Sequence, residues 1–250
     1  MLVIIVAARV PGQVPRVVGN LHLRPHPVPY TLPAMKTLVI DVGGTNVKVL
    51  ATGQAEPVKI PSGKHLTPAH MVSDVLKAAA SWDFDNVSIG FPGPVVNGKP
   101  SREPHNLGKG WVRFDFAKAF GKPVKIVNDA AMQALGSYTG GNMLFLGLGT
   151  GLGSAMVRDG VVFPLELAHL PYKKDHTYEE YLGEAGMHKR GKKEWRKHVA
   201  DVVALFIAAF VVDYVVLGGG NSKRIEKLPP KTRRGENANA FAGGFRLWSG

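Results

Sequence analysis

Leu146-Gly147-Leu148-Gly149-Thr150-Gly151-Leu152-Gly153 is the stretch on which the fold reading turns. Its flanks, Met143–Gly147 and Gly153–Arg158, read as two strands of a hairpin around a glycine turn. A purely structural hairpin rarely needs four glycines. Bare turns bring backbone N–H groups to close range, and such groups bind phosphate. Two further clusters follow or interrupt apolar runs in the same way: Asp41-Val42-Gly43-Gly44-Thr45-Asn46 and Leu217-Gly218-Gly219-Gly220-Asn221. Val127-Asn128-Asp129-Ala130 lies between the first two. Several bare turns converging on one cleft, with acids among them, point to phosphoryl transfer. The loose G-x-G-x-x-G fit from Gly147 or Gly149 lacks a strand-turn-helix unit with a later acid, and no Walker loop occurs.

Composition narrows the field. The chain has 250 residues, a formal charge of +12 and no cysteine. Disulfides, thiolate metal sites and cysteine nucleophiles are thereby excluded, and a reducing cytoplasm is the compatible location. No apolar run approaches the roughly 20 residues of a membrane span. Much of the positive charge falls in Lys189–Lys197 and Lys223–Arg234. These are either solvated faces or attractors of a polyanion: a nucleotide, polyphosphate or nucleic acid. Nucleic acid is the weakest of the three, because zinc-finger spacing, RNP aromatics and a helix-turn-helix are all absent.

Residues 1–34 carry an apolar Leu2–Ala8 and then six prolines from Pro11 to Pro33. Arg9 stands where a signal peptide wants small residues, so a disordered or spurious extension is expected, with Met35 as the start. Thr37–Asp41 and Val47–Ala51 read as hairpin strands, and Thr67-Pro68 opens a helix through Trp82. Asn86–Gly90 and Val124–Val127 read as strands, Asp129–Ser137 and Trp195–Val212 as helices, and Asp213–Leu217 as a strand. Val199, Val202, Val203, Phe206, Ala209 and Phe210 should face a core. The alternation of hairpins with helices implies an α/β fold in two lobes.

In Asp41–Asn46 the acid could hold a cation while Thr45 and the turn amides donate to phosphate; an ordinary hairpin is the alternative. Asp129, at a strand end, is placed to take a proton from an alcohol, and Asn128 suits a helix cap. Glu166 and His169 could be a metal pair, a sugar-hydroxyl pair or a surface accident, and Glu179 and Glu180 resemble a solvated helix start. With no cysteine and no third clustered ligand, structural zinc is not expected.

Taken in order, these segments resemble the ROK family of sugar kinases, within the actin-like ATPase superfamily. Asp41–Lys48 is similar to its first phosphate motif and Gly90-Phe91-Pro92-Gly93-Pro94-Val95 to its G-x-P-G-P-V loop. Asn128-Asp129-Ala130 is similar to its catalytic N-D-A, Leu148–Gly153 to its second phosphate motif, and Val216–Asn221 to its adenosine motif. The short, cysteine-free branch that includes polyphosphate glucokinase is most similar.

The resemblance implies a two-lobed actin-like ATPase (ribonuclease H-like) fold with a cleft between residues 35–128 and 129–250, the final helix returning to the first lobe. It implies Asp129 as general base and Asn106, Asn128, Asp129, Glu166, His169 and Glu179 as ligands of glucose or a related hexose. Asp41, Gly43, Gly44, Thr45, Asn46, Lys48, Gly149, Thr150, Gly151, Gly218, Gly219 and Gly220 would hold the phosphates or nucleotide of polyphosphate or ATP. Asp41 would face Mg²⁺, directly or through water. A homodimer is implied as well. Alternatives are another acceptor (mannose, N-acetylmannosamine or fructose) and a sugar-sensing regulator, for which 1–34 is too short and proline-rich to supply a DNA-binding domain. Many members carry a cysteine-rich zinc motif after the E-x-G-H histidine; here Glu166-Leu167-Ala168-His169 is followed by Pro171–Tyr178 without cysteine, so zinc should be absent.

Overall fold

The computed structural model describes residues 35–236 and 238–249, and the expectation for 1–34 lies outside them. Met35–Gly250 forms one compact unit. Its first half runs β1 (Thr37–Val42), β2 (Asn46–Ala51), β3 (Val58–Pro61), α1 (Pro68–Ala78), β4 (Asn86–Phe91), a ribbon β5 (Val95–Val96) and β6 (Lys99–Pro100), α2 (Phe116–Phe120) and β7 (Val124–Asn128). Helix α3 (Asp129–Ser137) follows. The second half runs β8 (Asn142–Leu148), β9 (Leu152–Arg158), β10 (Val161–Leu165), a ribbon β11 (Pro171–Lys173) and β12 (His176–Thr177), α4 (Tyr178–Leu182), α5 (Glu184–Arg190), α6 (Lys192–Phe210), β13 (Tyr214–Gly218), β14 (Thr232–Arg234) and α7 (Asn239–Arg246).

Two five-stranded sheets result, ordered β3-β2-β1-β4-β7 and β10-β9-β8-β13-β14. In each, three strands form an antiparallel meander and two more add in parallel to its first strand. This is the two-lobed α/β architecture. The central strands β1 and β4 are buried throughout, whereas β2 alternates, as one-sided burial requires.

The first core gathers Leu38, Ile40, Met71, Val75, Ile89, Phe91 and Trp111. The second gathers Leu144, Leu146, Trp195, Val199, Phe206 and Leu217. Helix α3 packs on β8, β9 and β10, while α7 packs on β1 and β4 and against α3. Their crossing is bare: a Cβ on Gly136 would strike the Asn239 carbonyl, and one on Gly243 the Met132 carbonyl. Arg246 donates to the carbonyls of Leu135 (2.7 Å) and Tyr138 (2.9 Å), closing the C-terminal end of α3.

Two helices end differently from the sequence expectation. Helix α1 stops at Ala78, and a turn bonding Trp82 N–H to the Ala79 carbonyl (2.9 Å) tucks the half-buried indole against the first core. Helix α6 starts at Lys192, after Gly191, and ends at Phe210 because Val211 is left-handed (φ 52°). That reversal buries Val212 and lets Asp213 N–H bond the Asn142 carbonyl (2.8 Å) as β13 begins. Ala209, expected in the core, faces solvent.

Candidate active site

The two meanders place their first turns, Gly43–Thr45 and Gly149–Gly151, at corresponding ends of corresponding strands. A cavity of about 670 Å³ lies between the halves. Gly44, Asn106 and Leu107 border it from the first half, Asp129 and Gln133 from α3, and Gly149–Gly153, Glu166, His169, Glu179 and Gly219 from the second.

Asp129 sits at the first position of α3, whose N-cap is Asn128. The Asn128 Oδ1 accepts from the N–H groups of Ala130 (2.9 Å) and Ala131 (3.2 Å), a cap that stabilises by about 1 kcal/mol. Its Nδ2 donates to the Gly93 carbonyl (3.1 Å), so the G-x-P-G-P-V loop and the helix start are tied together. Helix α3 can approach because its neighbours are bare. A Cβ on Gly153 would lie 2.9 Å from the Ala130 methyl, and one on Gly90 would strike Met132. Gly147 and Gly153 face each other across β8 and β9. Of the four alternating glycines, then, Gly153 admits the helix, Gly147 lies opposite it beside Phe145, and Gly149 and Gly151 form the turn.

Half-buried Asp129 accepts from the Ala130 N–H at 2.8 Å. Burial, then the negative charge of Asp41, and more weakly that of Glu166, push its carboxyl up to about 7 against the pull of that N–H. A carboxylate poised near neutrality can take or hold a proton at working pH. Asp41 is itself buried and paired with Lys48 Nζ at 3.1 Å, its cross-strand neighbour.

Each turn is held from behind through its carbonyls. Ser62 donates its hydroxyl to the Gly43 carbonyl and its N–H to that of Thr45 (3.0 Å). Glu184 N–H donates to the carbonyls of Gly149 (3.0 Å) and Thr150 (3.2 Å), and Asn221 Nδ2 also reaches Gly149 (3.2 Å). Among the described residues, the N–H groups of Gly44, Thr45, Thr150 and Gly151 have no protein partner. Free amides in a tight turn suit an anion.

Glu166 precedes a short 3₁₀ turn that ends at His169, and the two face each other at 3.8 Å, both more than half exposed. Buried Ser154 anchors that segment by donating to the Leu165 carbonyl (2.9 Å) and accepting from Leu167 N–H (3.2 Å). Asn106 lies against Gly44 on a loop that Glu103 organises, its carboxylate accepting from Gly110 (3.0 Å) and Trp111 (3.1 Å). Glu179 accepts from Leu152 N–H at 3.1 Å.

Of the residues singled out in the sequence, the cavity lining thus brings together Gly44, Asn106, Asp129, Gly149, Thr150, Gly151, Glu166, His169, Glu179 and Gly219. Asp41, Gly43, Thr45, Asn46, Lys48, Asn128, Gly218 and Gly220 are not part of that lining. Sequence reading missed His105, Gln133 and Phe145 in the lining, and Ser62 and Ser154 as anchors. Gln133 alone carried a local signal, since it lies one helical turn beyond Asp129. No cluster of three or more His, Asp or Glu able to hold a metal occurs among the described residues. No described helix is long and apolar enough to cross a membrane.

A family model described as the ROK family matches residues 37–164, just over half of the chain, from β1 to the end of β10. The chain belongs to the ROK family. Its similarity extends to the polyphosphate glucokinase of Mycobacterium tuberculosis (strain CDC 1551 / Oshkosh), 27% identical over 213 residues and covering 76% of this chain and 80% of that one. The N-acetylmannosamine kinase of Citrobacter koseri is 31% identical over 144 residues, 50% of this chain and 49% of that one. Among solved structures, the inorganic polyphosphate/ATP-glucomannokinase from Arthrobacter sp. strain KM superposes with a TM-score of 0.67 at 24% identity, covering 84% of this chain and 97% of that one. The ROK fold of this chain is the two-lobed actin-like ATPase fold.

Proposed function

We propose that this ROK protein is a hexose kinase, a glucokinase that uses polyphosphate, ATP or both. The observation that carries the reading is Asp129: a carboxyl held near neutrality on the wall of a cavity bordered by two bare turns. The similarity to a polyphosphate glucokinase over three quarters of the chain supports it. A hexose would lie among Asn106, Glu166, His169 and Glu179, with its 6-hydroxyl at Asp129. The free amides of the two turns, with Lys48 nearby, would meet donor phosphates, and Gly218–Gly220 would border a nucleoside if one is present.

The hydroxyl oxygen bonds to the terminal phosphorus, the phosphorus–oxygen bond to the donor breaks, and the proton passes to Asp129. The donor leaves one phosphoryl group shorter. Positioning and charge neutralisation carry most of such a step. Burial, then the charge of Asp41 and more weakly that of Glu166, raise the Asp129 carboxyl, and a divalent cation shared with the donor's phosphate oxygens would offset that negative charge. Asp41 would hold it, directly or through water, and when bound it would supply positive charge to the donor phosphates. A cytoplasmic homodimer with lobes at 35–128 and 129–250 completes the reading.

The similarity to an N-acetylmannosamine kinase over half the chain favours testing a second acceptor. Purified protein with Mg²⁺ and glucose, given ATP and then polyphosphate as sole donor, should form glucose 6-phosphate in a coupled assay. Turnover only with mannose, fructose or N-acetylmannosamine would move the reading to another hexose. No phosphorylated sugar from any pair would overturn it.

A further inference from the structure

Glu179 belongs to two neighbourhoods at once. Its Oε2 accepts from the N–H of Leu152, the residue that closes the Gly149–Gly151 turn (3.1 Å). Its Oε1 has no partner among the described residues, and the side chain borders the cavity. The turn is shaped to receive it, because a Cβ on Gly151 would take the room of the carboxylate.

The backbone repeats the link. Helix α4 starts with Tyr178 N–H bonding the Leu170 carbonyl (3.1 Å), directly after the Glu166–His169 segment. It ends with Gly183 N–H on the Glu179 carbonyl (2.8 Å), and the next residue, Glu184, donates to Gly149 and Thr150. A Cβ on Gly183 would strike the carbonyls of both Glu179 and Thr150. Five residues of helix therefore span the two sides of the cavity with hydrogen bonds at both ends.

We infer that Glu179 couples the two binding events, so that a hexose held on Oε1 fixes the Leu152 bond on Oε2 and tightens the turn's grip on the phosphate donor. This rests on the kinase reading above. Coupling of this kind is reciprocal by thermodynamic necessity and is commonly 5- to 150-fold, about tenfold being expected here.

The test is calorimetric and needs no turnover. Tripolyphosphate is titrated into the full chain with Mg²⁺, alone and with saturating 6-deoxyglucose, which lacks the reactive hydroxyl. The wild type should bind tripolyphosphate about tenfold more tightly with the sugar present. In Glu179→Ala, with 6-deoxyglucose raised until it saturates that variant, the ratio should fall to about one. Gly151→Ala, whose methyl displaces an intact carboxylate, should lose the coupling too, and a thermal melt of each variant checks that it is folded. A ratio near one in the wild type, or a wild-type ratio kept in both folded variants, overturns the inference and leaves the kinase reading standing. Failure of the wild type to bind 6-deoxyglucose or any other hexose overturns both.

Discussion

The two halves of the molecule share one plan and spend it differently. Each has a three-strand meander, two parallel strands added to its first strand, and a helix after the fifth strand. The helix of each half crosses to pack on the sheet of the other, α3 on β8–β10 and α7 on β1 and β4. Yet the fifth strand of the first half ends in Asn128, with Asp129 next, and that of the second in Arg234. Arg234 is occupied with the carbonyls of Ser222 and Ile225 (2.7 Å to the latter), a structural duty. Acids that could meet a proton or a cation, Asp41 and Asp129, stand at the ends of first-half strands. Both basic runs lie in the second half, each starting a few residues after a support of its turn, Glu184 or Asn221. One scaffold used twice thus places the acid proposed as base at the end of one copy and the more heavily buttressed of the two bare turns in the other.

The largest expected effect breaks the asymmetry at its acidic end. Asp129→Asn should lower hexose phosphorylation by about 10²- to 10⁴-fold while calorimetric hexose binding persists. In the wild type, kcat/KM should fall as pH drops through about 7, where Asp129 takes up its proton. The same raised carboxyl costs stability. The folded state binds a proton that the unfolded chain releases nearer its ordinary value of 3.8, so stability present below that pH is lost as pH rises through about 7. Without added cation, Asp129→Asn should therefore melt above the wild type at pH 8, with the gap closing toward pH 4. A wild-type rate, or a gap that widens on acidification, would contradict the assignment.

A smaller effect tests the exchange of helices. Gly136→Ala drives a methyl into the Asn239 carbonyl and should cost about 1–3 kcal/mol, read from urea denaturation. An unchanged midpoint would show that α3 and α7 can part freely. The smallest effect tests the basic end. Neutralising Lys189, Lys192, Lys193 and Lys197 with Gln should raise KM for long-chain polyphosphate about threefold at low salt and leave KM for ATP nearly unchanged, the difference vanishing at high salt. Equal polyphosphate kinetics and salt dependence in both proteins would make these runs a solvated face.

Much of this plan is written locally. The glycine turns follow apolar runs, and Asn128-Asp129 stands where a strand passes into a helix, so the turns, the acid at the helix start and the two-lobed α/β class are legible from neighbours a few residues apart. The duplication is not, because residues 37–128 and 142–234 share topology without a shared motif. Helix α7, expected only from the family resemblance, is hidden in its own residues for a different reason. Asn239-Ala240-Phe241-Ala242-Gly243-Gly244 is a poor helix by propensity, and only packing against α3 and Val39 makes those glycines useful. The bond from Glu179 to Leu152 spans 27 residues, and a Glu-Glu pair at a helix start carries no mark of it. For the same reason Asn128 read as a cap, while its tie to Gly93 did not appear.

Asp129 is steadied from behind by main-chain approach, through Gly90, Gly153 and the cap at Asn128, whereas Asn106, Glu166 and His169 hang on loops anchored elsewhere. Those loops can therefore drift in sequence without moving the acid, although Glu166 also lends it charge. On the proposed function, a lineage built this way can trade one sugar for another while its chemistry stays in place.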